Sequence, residues 1–135
     1  AIPEDGEGAS HLVTLHVEGC ASREAARRIA KTVAESALVK AAIAGGDPNW
    51  GRIVSAAGYA GVPFDPAGVS LKLNGCLLYE HGAPVPFDAA AVSRSLREQR
   101  ETQVQLTFAE GQAGARFWTT DLTPEYVRLN ADYHT

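Results

Sequence analysis

The stretch Val69-Ser70-Leu71-Lys72-Leu73-Asn74-Gly75-Cys76-Leu77-Leu78-Tyr79 decides the fold class. Val69, Leu71 and Leu73 alternate with Ser70 and Lys72, the period of a half-buried strand. Asn74-Gly75 separates that run from Cys76-Leu77-Leu78-Tyr79, and both positions of such a two-residue turn need a positive φ. A β-hairpin is predicted. Downstream, Asp88 is placed to cap a helix through about Arg97. Glu101 to Ala109 alternates again, with Val104, Leu106 and Phe108 inward. Gly111 and Gly114 bound a turn, after which Ala115 to Thr120 is expected to pair back as a second hairpin. Thr123-Pro124 then opens a final helix, a cap followed by a proline whose missing N–H costs nothing at the first helical position.

Upstream of the hairpin, residues 1–10 read as an opening loop rich in Gly, Pro and acid. In His11-Leu12-Val13-Thr14-Leu15-His16-Val17 the apolar Val13, Leu15 and Val17 share one face of a strand. Ser22 is a good N-cap for a helix over roughly 23–35, whose stripe is Ala25, Ala26, Ile29, Ala30 and Val33. A short helix from Ala37 to Ala44 follows and is stopped by Gly45-Gly46. Asp47 is predicted to cap the next helix with Pro48 at its first position, and Trp50, Ile53, Val54 and Ala57 form its buried stripe to Gly58 or Gly61. The predicted order is β-α-α-α-β-β-α-β-β-α. Grouped helices beside adjacent hairpins point to an α+β class: a single compact domain with a small mixed or antiparallel sheet packed on helices.

At 135 residues the chain holds one core, and 45% apolar with 21% charged residues is an ordinary globular balance. The net charge of −4 argues against nucleic acid as a partner. Arg23, Arg27, Arg28 and Lys31 share a helix with Glu24 and Glu35 and read as a solvated face. Cys20 and Cys76 have no second cysteine or histidine at metal-ligand spacing, so neither a metal site nor a cofactor is expected; they read as thiols of a reducing compartment. No apolar run approaches the roughly 18 residues that cross a bilayer, and no secretion signal stands at the start. A cytoplasmic location is the expectation, with no membrane partner. The chain contains no methionine and begins Ala1-Ile2-Pro3, so its N-terminus is expected to arise by cleavage, trimming or a chosen boundary.

Several residues admit both a chemical and a structural reading. In Asp5-Gly6-Glu7-Gly8 a carboxylate sits between glycines, where backbone can approach a ligand; the same residues also suit an acidic tail. Arg52 could clamp a carboxylate or form a surface ion pair. Thr119-Thr120-Asp121-Leu122-Thr123 offers three hydroxyls and an acid, with Thr123 spent on capping. The histidines at 11, 16, 81 and 134 are scattered, and His11 and His16 point to opposite faces of their strand, so no catalytic dyad emerges. Tyr126, Asn130 and Tyr133 share a helix face, where an amide either satisfies buried backbone or reaches a ligand.

Three segments, taken together and in order, resemble the β subunit of the ornithine acetyltransferase (bifunctional glutamate N-acetyltransferase) family. They are Asp5-Gly6-Glu7-Gly8-Ala9-Ser10, Gly46-Asp47-Pro48-Asn49-Trp50-Gly51-Arg52, and Thr119-Thr120-Asp121-Leu122-Thr123 running on to Tyr126-Val127 and Asn130-Ala131-Asp132-Tyr133. The resemblance covers essentially all 135 residues. It implies a precursor that cuts itself before a threonine, which becomes the nucleophile and carries acetyl from N-acetylornithine to glutamate in cytoplasmic arginine synthesis. Some family members also take acetyl from acetyl-CoA.

By position, the resemblance makes Glu7 a substrate-binding glutamate, and makes Asn130 and Thr135 the C-terminal amide and hydroxyl that hold substrate. Residues 1–10 then form a loop carrying a site glutamate, and 11–135 the C-terminal α+β domain of the β subunit. Ser10 stands where threonine is common. The Gly46–Arg52 run is read as architectural, with Arg52 an open candidate. The nucleophilic threonine is not in this chain, Ala1 cannot replace it, and no catalytic residue is assigned here. The implied partners are the α subunit and the N-terminal part of the β subunit, in a hetero-oligomer. The isolated chain is expected to be inert. Competing readings are a non-catalytic assembly module and part of a related self-processing aminopeptidase.

Overall fold

The structure, a computed structural model, describes residues 12–120. Strand β1 (Leu12–Cys20) leads through Ser22 into three consecutive helices: α1 (Arg23–Ala34), α2 (Ala37–Ala44) and α3 (Trp50–Gly58). A single 3-10 turn (Pro66–Gly68) then precedes β2 (Ser70–Leu73), β3 (Cys76–Glu80) and the short β4 (Ala83–Pro84). Helix α4 (Ala89–Glu98) and strands β5 (Glu101–Thr107) and β6 (Ala113–Thr120) complete the described chain. The class is α+β as expected. The final helix expected after Thr123-Pro124 lies outside the described residues.

Capping accounts for where the helices begin. The hydroxyls of Ser22 and Ser36 accept from the N–H groups of Ala25 and Val39, and the Asp88 carboxylate accepts from Ala91. Helix α2 ends in a Schellman motif: Gly46 has φ +70, its N–H donates to the Ile43 carbonyl, and the Asp47 N–H donates to the Ala42 carbonyl. One cap differs from the sequence expectation. The cap of α3 is Asn49, whose Oδ1 accepts from the Arg52 N–H at 3.0 Å, while the Asp47 carboxylate accepts from Asn49 Nδ2 at 3.1 Å. The Schellman turn consumes Asp47, and the Asn49 N–H to Asp47 carbonyl bond at 2.7 Å delays the helix by two positions (49 − 47). Asn49→Ala is therefore expected to cost about 1 kcal/mol. Asp47→Ala should cost less than half of that, as read by denaturant midpoints.

Six strands form one mixed sheet in the order β4-β3-β2-β5-β1-β6. The predicted hairpin is present: β2 and β3 pair antiparallel, and Asn74 and Gly75 have φ of 49 and 83. The second predicted hairpin is not formed, because β1 lies between β5 and β6, parallel to the first and antiparallel to the second. Alternation along 101–120 identifies two strands but carries no record of their partners. The chain instead wraps past the end of β1 at Gly19, whose carbonyl accepts from both the Glu110 and Gly111 N–H groups. The other hairpin is β3–β4, turning at His81-Gly82 with φ of 51 and 81.

The helices cover one face of the sheet. Val13, Leu15, Val17, Leu71, Leu73, Val104 and Leu106 are buried there against Ala26, Ile29, Ala30, Val33, Ile43 and Ile53. Trp50 is half-buried and places its ring 5.3 Å from that of Tyr79, tying α3 to β3. Of the residues of opposite parity on the strands, His16, Lys72, Gln103 and Trp118 are exposed or half-buried, while Thr14 is buried.

Candidate functional site

One end of this sheet gathers polar groups from four elements. The first described residue, Leu12, is paired on one side with Glu101 of β5 and on the other with Thr120, the last described residue. Both segments that continue beyond the described residues therefore join the sheet at adjacent positions, about 5 Å apart across the ladder. Beside this junction lies a cleft of about 420 Å³ lined by Asn74, Gly75, Gln99, Glu101 and Gln103.

Hydrogen bonds fix the walls of the cleft. Asn74, held at positive φ by its turn, accepts through Oδ1 from the Gln103 N–H at 2.8 Å and donates through Nδ2 to Ser95 Oγ at 3.0 Å. Its own N–H donates to the Gln103 carbonyl at 2.8 Å. The turn is thereby clamped to β5 and α4. Glu101 accepts from the Thr14 hydroxyl at 2.7 Å, which ties the carboxylate to β1. A carboxylate among three side-chain amides can hold an ammonium and hydrogen-bond the polar remainder of an amino-acid-like molecule. The set contains no nucleophile.

The residues proposed from sequence distribute as follows. Glu7, Asn130 and Thr135 lie outside the described residues, as do His11, His134 and Asp121 to Thr123. Thr119 and Thr120 end β6 at the junction. Arg52 donates through Nη1 to the Leu38 carbonyl at 3.1 Å, so its guanidinium ties α3 to α2. Cys20 and Cys76 are free thiols. Burial pushes the Cys20 thiol up from its ordinary value, and the Glu110 carboxylate adds to the shift, so Cys20 is a neutral core residue at neutral pH. Among the described residues no group of three His, Cys, Asp or Glu side chains could hold a metal ion. Glu101, Asn74, Gln99 and Gln103 are not among the site residues that the sequence suggests. Their one local signal, Asn-Gly, reads as a turn, and only the pairing of β1 with β5 and of β2 with β5 brings them together.

Comparison with known proteins gives the context of this geometry. A family model described as the ArgJ family matches residues 1–135. The chain belongs to the ArgJ family. It is 50% identical over 143 residues to an "Arginine biosynthesis bifunctional protein ArgJ" of Prochlorococcus marinus, a match covering 100% of this chain and 34% of that protein. The protein of the same name from Rhodopirellula baltica is 50% identical over 131 residues, covering 97% of this chain and 32% of its own. The crystal structure of ArgJ from Bacillus halodurans superposes with a TM-score of 0.83 at 34% identity, covering 96% of this chain and 61% of that one.

The chain thus spans about a third of the length of the ArgJ relatives it matches. Those relatives are named for arginine biosynthesis, and one from Citrullus lanatus is named as chloroplastic. No helix among the described residues is long and apolar enough to cross a membrane.

Proposed function

We propose that this chain is the C-terminal portion of the β subunit of a self-processing acetyltransferase that moves acetyl from N-acetylornithine to glutamate. Glu7, Asn130 and Thr135 hold the substrate, and the nucleophilic threonine stands on a segment outside the chain. Membership of the ArgJ family supports this reading. The observation that carries the site assignment is the pairing of Leu12 with Thr120. Glu7 precedes Leu12 by five positions (12 − 7) and Asn130 follows Thr120 by ten (130 − 120). Two extended segments of those lengths reach at most about 17 and 35 Å from adjacent roots, so both can serve one substrate.

The chemistry is covalent and runs in two halves. The threonine hydroxyl adds to the acetyl carbonyl of N-acetylornithine, a proton moves to the departing α-amine, and ornithine leaves an acetyl ester on the enzyme. The glutamate amine then attacks the ester, the threonine oxygen recovers a proton, and N-acetylglutamate departs. Acetyl-CoA can load the same ester, with the thiol as leaving group. In this scheme Glu7 pairs with the free ammonium of the substrate, and Asn130 and Thr135 hydrogen-bond its polar remainder. The partners are the α subunit and the N-terminal part of the β subunit in a hetero-oligomer, and the location is the cytoplasm.

Incubating the full-length enzyme with N-acetylornithine and glutamate tests the reaction: N-acetylglutamate and ornithine should appear in equal amounts. The isolated 135-residue chain should produce neither. Turnover by the isolated chain, or no acetyl transfer by the full enzyme, would overturn the proposal.

A further inference from the structure

Strand β6 is the edge of the sheet, hydrogen-bonded to β1 on one side and to no other described strand. It is eight residues long, contains no proline, and carries one charged side chain, Arg116. Among the described residues no strand pairs with the outer side of β6, and an edge of that length is a template for another strand. Half-buried Phe117 and exposed Trp118, the latter 56% accessible, make it more adhesive still.

A second feature borders the same edge. Helix α1 packs over β6, and between them runs a groove of about 340 Å³ lined by Arg23, Glu24, Arg27, Arg28, Lys31 and Phe117. Four cations against one anion give this groove a net charge of +3 (4 − 1), in a chain whose overall net charge is −4. The floor is aromatic and the rim is cationic.

We propose that an extended acidic segment of the enzyme, from the polypeptide beyond these 135 residues, adds as a strand to the outer edge of β6 under the cationic side chains of α1. Every second side chain of an added strand turns to the α1 side, where aspartate or glutamate meets the guanidinium groups and an apolar residue covers Phe117. A second copy of this chain fits worse. Pairing two β6 strands across a two-fold axis sets two α1 helices side by side, with +3 facing +3. A small anion would answer the charge and leave the ladder bare. ArgJ relatives about three times as long supply polypeptide for the role. The proposal rests on family membership and not on the acetyl-transfer reading, so either can fail alone.

Zero-length carbodiimide cross-linking of the full-length wild-type enzyme, read by peptide mass spectrometry, tests the occupant. The Lys31 amine should join an aspartate or glutamate outside residues 1–135. In hydrogen–deuterium exchange, residues 113–120 of the wild type should be protected at least tenfold relative to the triple variant R23E/R27E/K31E. Residues 101–107 of β5 should stay equally protected in both, which checks that the variant is folded. The proposal is overturned if Lys31 gives no cross-link. It is overturned equally if Lys31 joins only carboxylates within residues 1–135, including Glu4, Asp5 or Glu7, or joins a second copy. Exchange of 113–120 in the wild type at the rate of a bare edge also overturns it. The cross-link is read on the wild type and does not depend on the variant folding.

Discussion

Gly19→Ala is expected to destabilise the full-length enzyme by roughly 2–5 kcal/mol, summing the left-handed backbone cost and the overlap of a forced side chain. Gly19 has φ +80, and a Cβ built there would overlap the Phe108 carbonyl oxygen and its carbon. Both clashing atoms belong to the backbone, so no side chain can swing aside. The same residue is where the chain wraps from β5 past the end of β1 to β6, with its carbonyl accepting from Glu110 and Gly111. Relief of the overlap would therefore pull apart the crossing that sets the order of the sheet. The expected loss in Tm is on the order of 5 °C. Gly58→Ala is the matched control: it ends α3, has no positive φ, and meets nothing within 4 Å. It should raise stability by about 0.5–1 kcal/mol. Equal and small effects at the two positions would show that the crossing at Gly19 does not constrain the fold.

Glu7→Ala and Asn130→Ala in the full-length enzyme are each expected to raise KM for N-acetylornithine. Losing a charge-assisted hydrogen bond from Glu7 removes about 1.5–3 kcal/mol, roughly a tenfold to hundredfold effect. Asn130→Ala, losing a neutral hydrogen bond of about 1 kcal/mol, should raise KM roughly fivefold. In both, kcat should fall far less than kcat/KM, because a residue that holds the substrate equally in ground and transition state changes binding alone. An assembly role would instead leave KM unchanged and lower the amount of intact enzyme. Size-exclusion profiles measured beside the kinetics separate the two.

Punctuation in the sequence carried much of the fold. Asn74-Gly75 has little freedom to be anything except a hairpin turn, and the structure places both residues at positive φ. Ser22 and Asp88 accept from backbone N–H groups at the starts of their helices, and Gly46 closes α2. Pairing was not legible. Nothing in the alternation of 101–120 reveals that β1, some 90 residues upstream, enters between β5 and β6. Parallel pairing of distant strands leaves no local signature. The α3 cap went to Asn49 and not Asp47 because two neighbouring residues with the same capping chemistry compete, and the preceding Schellman turn decides between them.

The candidate site divides in the same way. Glu7, Asn130 and Thr135 came from the family resemblance and lie outside the described residues. Glu101 looked like the first residue of an alternating strand, and only the register Leu12↔Glu101 places it at the junction where those two segments join the sheet. Its bond to Thr14 spans 87 positions of sequence, a separation that no spacing rule would single out.

We propose that the two segments leaving Leu12 and Thr120 serve one substrate. A double-mutant cycle on Glu7→Ala and Asn130→Ala, read as kcat/KM for N-acetylornithine in the full-length enzyme, is the decisive measurement. Residues gripping the same bound molecule should couple by at least about 0.5 kcal/mol, beyond the additivity of independent sites. Both single variants should also show raised KM. Wild-type KM in both singles, or losses that simply add, would contradict a shared site built from the two segments.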